Sequence, residues 1–279
     1  MSLLIKKMKI SVSNIAWYQD PKRFSEFLDF IKNLNCDGVE IAPSAIWDEP
    51  ISSTKDQRNI LKKSIKEFDL EFVGFHSLLF SKPNLKLFKD KNLRLETKKY
   101  IFSLIDLCSD LEGTKLIYGS PKSRELCGRE YKDCKNQSLE DFYEIAEHSK
   151  KRGSTFCIEP LSLKETDFIT SLEEGGEIVR YINHPNFKLH LDTKVLFGSK
   201  KDFKSIIFDC KDIIKHVHVG DENLLAPGTI NKEHSEIGRS LREVNYKDFI
   251  TLEMRRDLEN IEGSIKKAIK FVQENYIKS

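Results

Sequence analysis

The sequence predicts an α/β fold, a closed (β/α)8 TIM barrel in a single domain over residues 1–279. Three observations carry this. Short β-type runs alternate with longer, charged segments of helical period. Eight such pairs follow one another. A length of 279 residues suits one barrel of this kind. An open doubly wound sheet is the alternative, but it normally carries a Gly-rich phosphate turn after an early strand, and no GxGxxG follows the first two runs.

The runs come in order. KISVSNIAW (9–17) is the first, followed by DPKRFSEFLDFIKNL, with Asp20 at the expected N-cap and apolar residues at helical spacing. GVEIAP (38–43) is the second, and a basic-acidic helix runs from there to about Phe68. LEFVGFHSLL (70–79) precedes a lysine-rich helical stretch, and TKLIYGSP (114–121) follows it. A long polar loop, 119–137, is expected to act as a lid or substrate loop before a helix over 138–152. TFCIEPL (155–161), FKLHLDT (187–193), IKHVHVGD (214–221) and DFITLEM (248–254) complete the strands, and a charged helix closes the chain.

Composition narrows the function. The 46 basic and 44 acidic residues leave a net charge of +2, without the basic excess of a dedicated nucleic-acid binder. No signal-like or membrane-spanning run is expected, so a cytoplasmic protein with no membrane partner is predicted. The six cysteines form no CxxC pair and are expected to be free thiols. Cys127 and Cys134 are placed together on the polar loop, as surface thiols.

The chemistry gathers late in the chain. Catalytic groups of a barrel sit where strands end and loops begin. CIEP ends in Glu159, LHLD in Asp192, HVHV offers His218, and TLEM ends in Glu253. Four consecutive strands thus place one potential metal ligand each at one level. Three carboxylates facing one another cannot all stay ionised in a dry mouth without a cation. Three acids and one imidazole suit Mn2+, Mg2+, Co2+ or Fe2+, and Zn2+ can also be held. One step deeper, alternation turns Cys157, His190, His216 and Thr251 inward. His190 and His216 are expected either to orient the ligands from behind or to be hydrogen-bonded core. Lys122, Arg124 and Arg129 after the fourth strand, Lys194, and Arg255 with Arg256 after the eighth could together receive a phosphate or carboxylate. Of the aromatic residues near strand ends, Phe75 is expected in the core, and Trp17 is left open as a pocket wall.

These motifs resemble the xylose-isomerase-like barrel superfamily of sugar isomerases, epimerases and apurinic endonucleases. The resemblance rests on IEPL with Glu159, LDT with Asp192, HVHVGDEN with His218 and LEM with Glu253, and covers essentially the whole chain. It is strongest to the ketose 3-epimerases, whose second glutamate is matched by Glu165 in EPLSLKET and whose His-x-Gly-acid-x-Asn motif is matched by HVGDEN. It implies a metal site at Glu159, Asp192, His218 and Glu253, with Glu165 and His76 at the substrate. Val195 stands where that family often has a substrate-holding histidine, and Leu224 where the epimerases have an arginine. The endonuclease branch is echoed by His76 in GFHSLL and His234 in HSEIG. Its strand-four histidine is missing from LIYGS, however, and Val195 and Lys232 replace two further zinc ligands. His234 is expected to support the site from behind.

The expected function is a divalent-metal-dependent sugar isomerase or epimerase. Glu159 and Glu253 would move protons next to a carbonyl through a metal-bound enediolate, on a small sugar or sugar phosphate. The alternatives are an endonuclease-like metal phosphodiesterase, a sugar dehydratase and a non-catalytic sugar-binding barrel. A homo-oligomer is left open.

Overall fold

Side-chain alternation along eight short strands builds the molecule. They are β1 (Lys9–Ser13), β2 (Gly38–Ile41), β3 (Glu71–Phe75), β4 (Lys115–Tyr118), β5 (Thr155–Ile158), β6 (Phe187–Asp192), β7 (Ile214–Val219) and β8 (Phe249–Leu252). In this computed structural model, which describes residues 8–199 and 201–278, they pair in parallel in sequence order and close as a barrel. Residues 1–7, 200 and 279 of the expected 1–279 domain lie outside the described residues. β8 closes on β1 with Ser11 opposite Thr251. Every expected run forms a strand, and each strand stops before its run does, so Glu159 and Glu253 fall just past β5 and β8 while Asp192 and His218 stay within β6 and β7.

Nine α-helices among the described residues cover the outside: α1 (Phe24–Asn33), α2 (Lys55–Glu67), α3 (Lys91–Asp110), α4 (Tyr131–Lys151), α5 (Leu172–Ile182), α6 (Thr193–Phe197), α7 (Phe203–Cys210), α8 (His234–Glu243) and α9 (Ile261–Val272). Their starts follow capping chemistry. Thr54 and Gln57 form a reciprocal capping box on α2, and Asp90, Ser171, Asp202 and Asn260 cap α3, α5, α7 and α9. Asp20 caps a 3-10 turn, Pro21–Arg23, that leads into α1. α1 buries Phe24, Phe27, Leu28 and Ile31, the stripe its helical spacing predicts.

One boundary differs. α4 begins at Tyr131, so the expected loop 119–137 shortens to 119–130 and holds a 3-10 turn, Pro121–Arg124. The segment 131–138 looked loop-like because it is polar. Its buried side, Cys134, Ser138, Asp141, Phe142 and Ile145, nevertheless repeats at helical spacing. Asp141 is buried there because Arg94 and Lys98 each reach it at 2.9 Å. Cys134 is therefore a buried helix residue. Cys127 alone of the six free cysteines is exposed.

Three charges pair at the N-terminal ends of β4, β7 and β8. Lys115 Nζ meets Asp248 Oδ1 at 2.9 Å, and Lys215 Nζ meets Asp248 Oδ2 at 3.0 Å. Trp17 is core: it packs against Tyr18, Phe27 and Phe30, and its Nε1 donates to the Arg23 carbonyl at 3.1 Å. Phe75 is fully buried, as expected. Among the described residues no helix is long and apolar enough to cross a membrane.

Gly74 lies where β3 meets β4, at φ +154°, and a Cβ there would overlap the Lys115 carbonyl oxygen. Gly74→Ala is expected to cost about 1–3 kcal/mol. Urea titration checks this, and an unchanged midpoint would mean that the strands part without cost at this point.

Candidate active site

The polar residues of the strand ends meet at one mouth of the barrel. A cavity of about 890 Å3 opens there, and Glu159, Glu253, His76, Glu165, Lys122 and Lys194 are among its lining. Glu159 follows the last residue of β5, and Glu253 follows that of β8. β6 and β7 lie between them and carry Asp192 and His218, which are paired in register.

Glu40 organises the interior. It sits in the middle of β2, fully buried, and its two oxygens meet two histidines: Oε2 lies 2.7 Å from His218 Nε2, and Oε1 lies 3.1 Å from His216 Nε2. Burial pushes its carboxyl up, but His218 and His216 outweigh that and hold it well below the usual carboxylate range. Burial likewise opposes a charge on His218, and Glu40 and Glu253 outweigh it, holding that imidazole well above its ordinary value. His216 also lies 3.1 Å from Thr251 Oγ1, which lies 2.6 Å from Ser11 Oγ. A polar chain therefore crosses the seam between β8 and β1.

With Nε2 turned to Glu40, His218 presents Nδ1 to the mouth. Nδ1 lies 3.2 Å from Glu253 Oε2, off the line a hydrogen bond needs. Glu253 Oε1 lies 3.1 Å from His76 Nδ1, and His76 Nε2 is 2.6 Å from Ser13 Oγ. Burial raises the Glu253 carboxyl, yet the His218 and His76 rings outweigh it and hold it well below the usual range. Glu159 differs. Burial pushes its carboxyl up to about 8 against the pull of Lys194, with Asp192 and Glu253 adding to the rise. Its carboxylate rests against Gly119, where any Cβ would collide with Oε2.

Asp192 works twice. Its Oδ1 accepts from the Lys194 backbone N–H at 2.9 Å and starts α6, while Oδ2 faces the site. Donor atoms of Glu159, His190, Asp192 and His218 lie within 4.8 Å of one another. Both His190 nitrogens are buried without a hydrogen-bond partner, and its ring centroid is 4.1 Å from that of His218. Orphaned nitrogens beside converging carboxylates fit a divalent cation, which replaces the missing partners. His190, expected one step deeper, has a ring nitrogen close to the donor atoms of Glu159, Asp192 and His218, because Ile158 pairs with Leu189 and this sets His190 level with Glu159. His216 does stand behind, on Glu40.

Other expectations need correction. Arg124 is fully buried and is not a cavity residue. Its Nη2 donates to the Glu159 backbone carbonyl at 2.7 Å, so it braces the strand end instead of meeting substrate. Arg255 is exposed and lies outside the cavity lining. Of the expected basic group, Lys122 and Lys194 line the cavity, and Arg124 and Arg255 do not. His234 lies away from the carboxylate cluster, with Nδ1 2.7 Å from the Tyr276 hydroxyl and Nε2 3.3 Å from Asp221 Oδ1, where it packs on Phe197. It steadies the loop after β7. Cys157 has its thiol pushed up to about 12 by burial and is inert.

Comparison with known proteins agrees with this fold. The family described as xylose isomerase-like TIM barrel matches residues 28–275. A D-psicose 3-epimerase of Ruminiclostridium cellulolyticum is 28% identical over 117 residues, which span 42% of this chain and only 40% of that protein. A D-psicose 3-epimerase of Enterocloster bolteae is 23% identical over 248 residues, 85% of this chain and 77% of that protein. The crystal structure of D-psicose 3-epimerase with D-tagatose from Clostridium cellulolyticum H10 has a TM-score of 0.82 at 19% identity, covering 97% of this chain and all of the other, a likeness of fold.

Glu40→Gln removes the charge that orients His218. Metal-binding groups held this way typically lose about 10- to 100-fold in metal affinity when the supporting partner is changed. Calorimetric titration of the variant with Mn2+ is expected to show that loss. An affinity equal to the wild type would mean that His218 is oriented by something else.

Proposed function

The chain belongs to the xylose isomerase-like TIM barrel family, and on that premise we propose that it is a divalent-metal-dependent sugar epimerase of the ketose 3-epimerase type. The observation that carries this reading is the placement of two glutamates. Glu159 and Glu253 line one cavity from the ends of β5 and β8, and the intervening strands bear Asp192 and His218. Glu159, Asp192, His218 and Glu253 would hold the cation, with His190 adjoining. A bound Mn2+, Mg2+ or Co2+ supplies Lewis-acid polarisation of the substrate's carbonyl oxygen and charge to balance the anion that forms.

The protein's own groups do the proton work. One of the two glutamates takes the proton from the carbon next to the carbonyl, and the electron pair left behind moves to the carbonyl oxygen. The other glutamate returns a proton to the opposite face of that carbon, which inverts it. Two flanking carboxylates therefore favour epimerisation over a one-sided aldose–ketose shuttle. His76 and His218 face separate oxygens of Glu253, at 3.1 and 3.2 Å, and together they aim it. Gly119 lets Glu159 sit flush against the cavity wall. Glu165 lies farther out and is placed to meet substrate hydroxyls. The substrate is read as a small ketose, because Arg124 and Arg255 lie off the cavity and its basic lining is lysine, without the forked arginine pairing that suits a phosphate.

Glu159→Gln and Glu253→Gln are each expected to lower kcat by about 10^2- to 10^4-fold. The check is proton NMR of D-psicose in D2O with Mn2+, following deuterium entry at C3. Fast exchange by the wild type and exchange slowed by that factor in either variant are expected. Wild-type rates in either variant would remove that glutamate from the reaction.

A further inference from the structure

The carboxylate cluster already contains a cation of the chain's own. Lys194 is the second residue of α6, two positions beyond Asp192, and its side chain is only 13% exposed. Its Nζ lies 2.9 Å from Asp192 Oδ2, 3.5 Å from Glu159 Oε1 and 3.9 Å from Glu165 Oε1. Two of these acids, Glu159 and Asp192, are the ones a divalent ion needs. One carboxylate pair cannot serve an ammonium and a divalent ion in the same small, buried space, because the two cations repel strongly at such distances.

We propose that Lys194 is an internal competitor for the metal site. Its ammonium neutralises Glu159 and Asp192 in the metal-free protein and leaves them when the ion enters. Glu165 is the place it goes. Glu165 Oε2 is occupied by the Ser162 backbone N–H at 3.1 Å and the Ser162 hydroxyl at 2.7 Å, and this leaves Oε1 turned toward Lys194. Glu165 lines the cavity, so the transfer carries the ammonium outward, toward bound sugar. Two consequences follow. The acidic cluster stays assembled without metal, because its charge is met from within. The ion must also break an existing buried ion contact, so the site binds metal more weakly than its donor set alone would. The inference rests on the metal site proposed above.

The test is calorimetric titration of EDTA-treated protein with MnCl2, comparing the wild type with K194M and K194Q. Both variants are expected to bind Mn2+ roughly 10- to 100-fold more tightly than the wild type. Equal affinities, or weaker binding in the variants, overturn the competitor role and leave the metal site standing. No binding by any of the three proteins overturns the metal site and the competitor together. The wild type provides a second readout that needs no variant: reductive methylation followed by peptide mass spectrometry. Lys194 should be protected in metal-free protein and labelled on Mn2+ loading. Labelling that Mn2+ leaves unchanged overturns the proposal.

Discussion

A carboxylate sealed from water must find its counter-charge within the protein, and Glu40 finds it in the imidazoles of His216 and His218. This contact governs the rest of the site. It sits inside the barrel, where no solvent screens it, so it constrains ring orientation strongly. It turns His218 Nε2 inward and Nδ1 toward the mouth. It also ties β2 to β7 across the interior. The chain from His216 through Thr251 to Ser11 extends the same polar system to the seam where the barrel closes. The polar system thus reaches the seam that closes the barrel, where Ser11 of β1 lies opposite Thr251 of β8.

At the mouth, single residues serve both the fold and the chemistry. Asp192 ends β6, starts α6 through one oxygen and presents the other to the cluster. Arg124 is buried to hold the backbone carbonyl of Glu159, which fixes where that side chain departs from the wall. Gly119 leaves room for the Glu159 carboxylate, which a Cβ there would push aside. Of the basic residues near the mouth, Arg124 braces, Arg255 stays outside, and Lys122 and Lys194 line the cavity.

Much of this was legible in the sequence for a physical reason. Strand alternation is a local property, so IKHVHV announced two inward histidines, and CIEP, LHLD and TLEM announced acids at strand ends. Glu40 was missed although GVEI carries the same signal, one acid between two apolar neighbours that face the other way. Its meaning depends on His216 and His218, far along the chain, and no local pattern reports that pairing. Arg124 was misread because a basic residue in a polar segment resembles surface, and only the tertiary fold lays that turn over the end of β5. The start of α4 was missed because its first turns carry so many polar residues that the buried side is hidden. That His190 comes level with Glu159 was not legible, since the stagger between β5 and β6 is a property of the closed barrel.

The central claim is that Glu159, Asp192, His218 and Glu253 surround one divalent ion above the Glu40–histidine floor. An anomalous difference map from crystals grown with Mn2+ tests it most directly. The expected result is a single strong peak at bonding distance, roughly 2.0–2.4 Å, from these four side chains. A map with no peak among them, or with manganese bound elsewhere on the molecule, would contradict it.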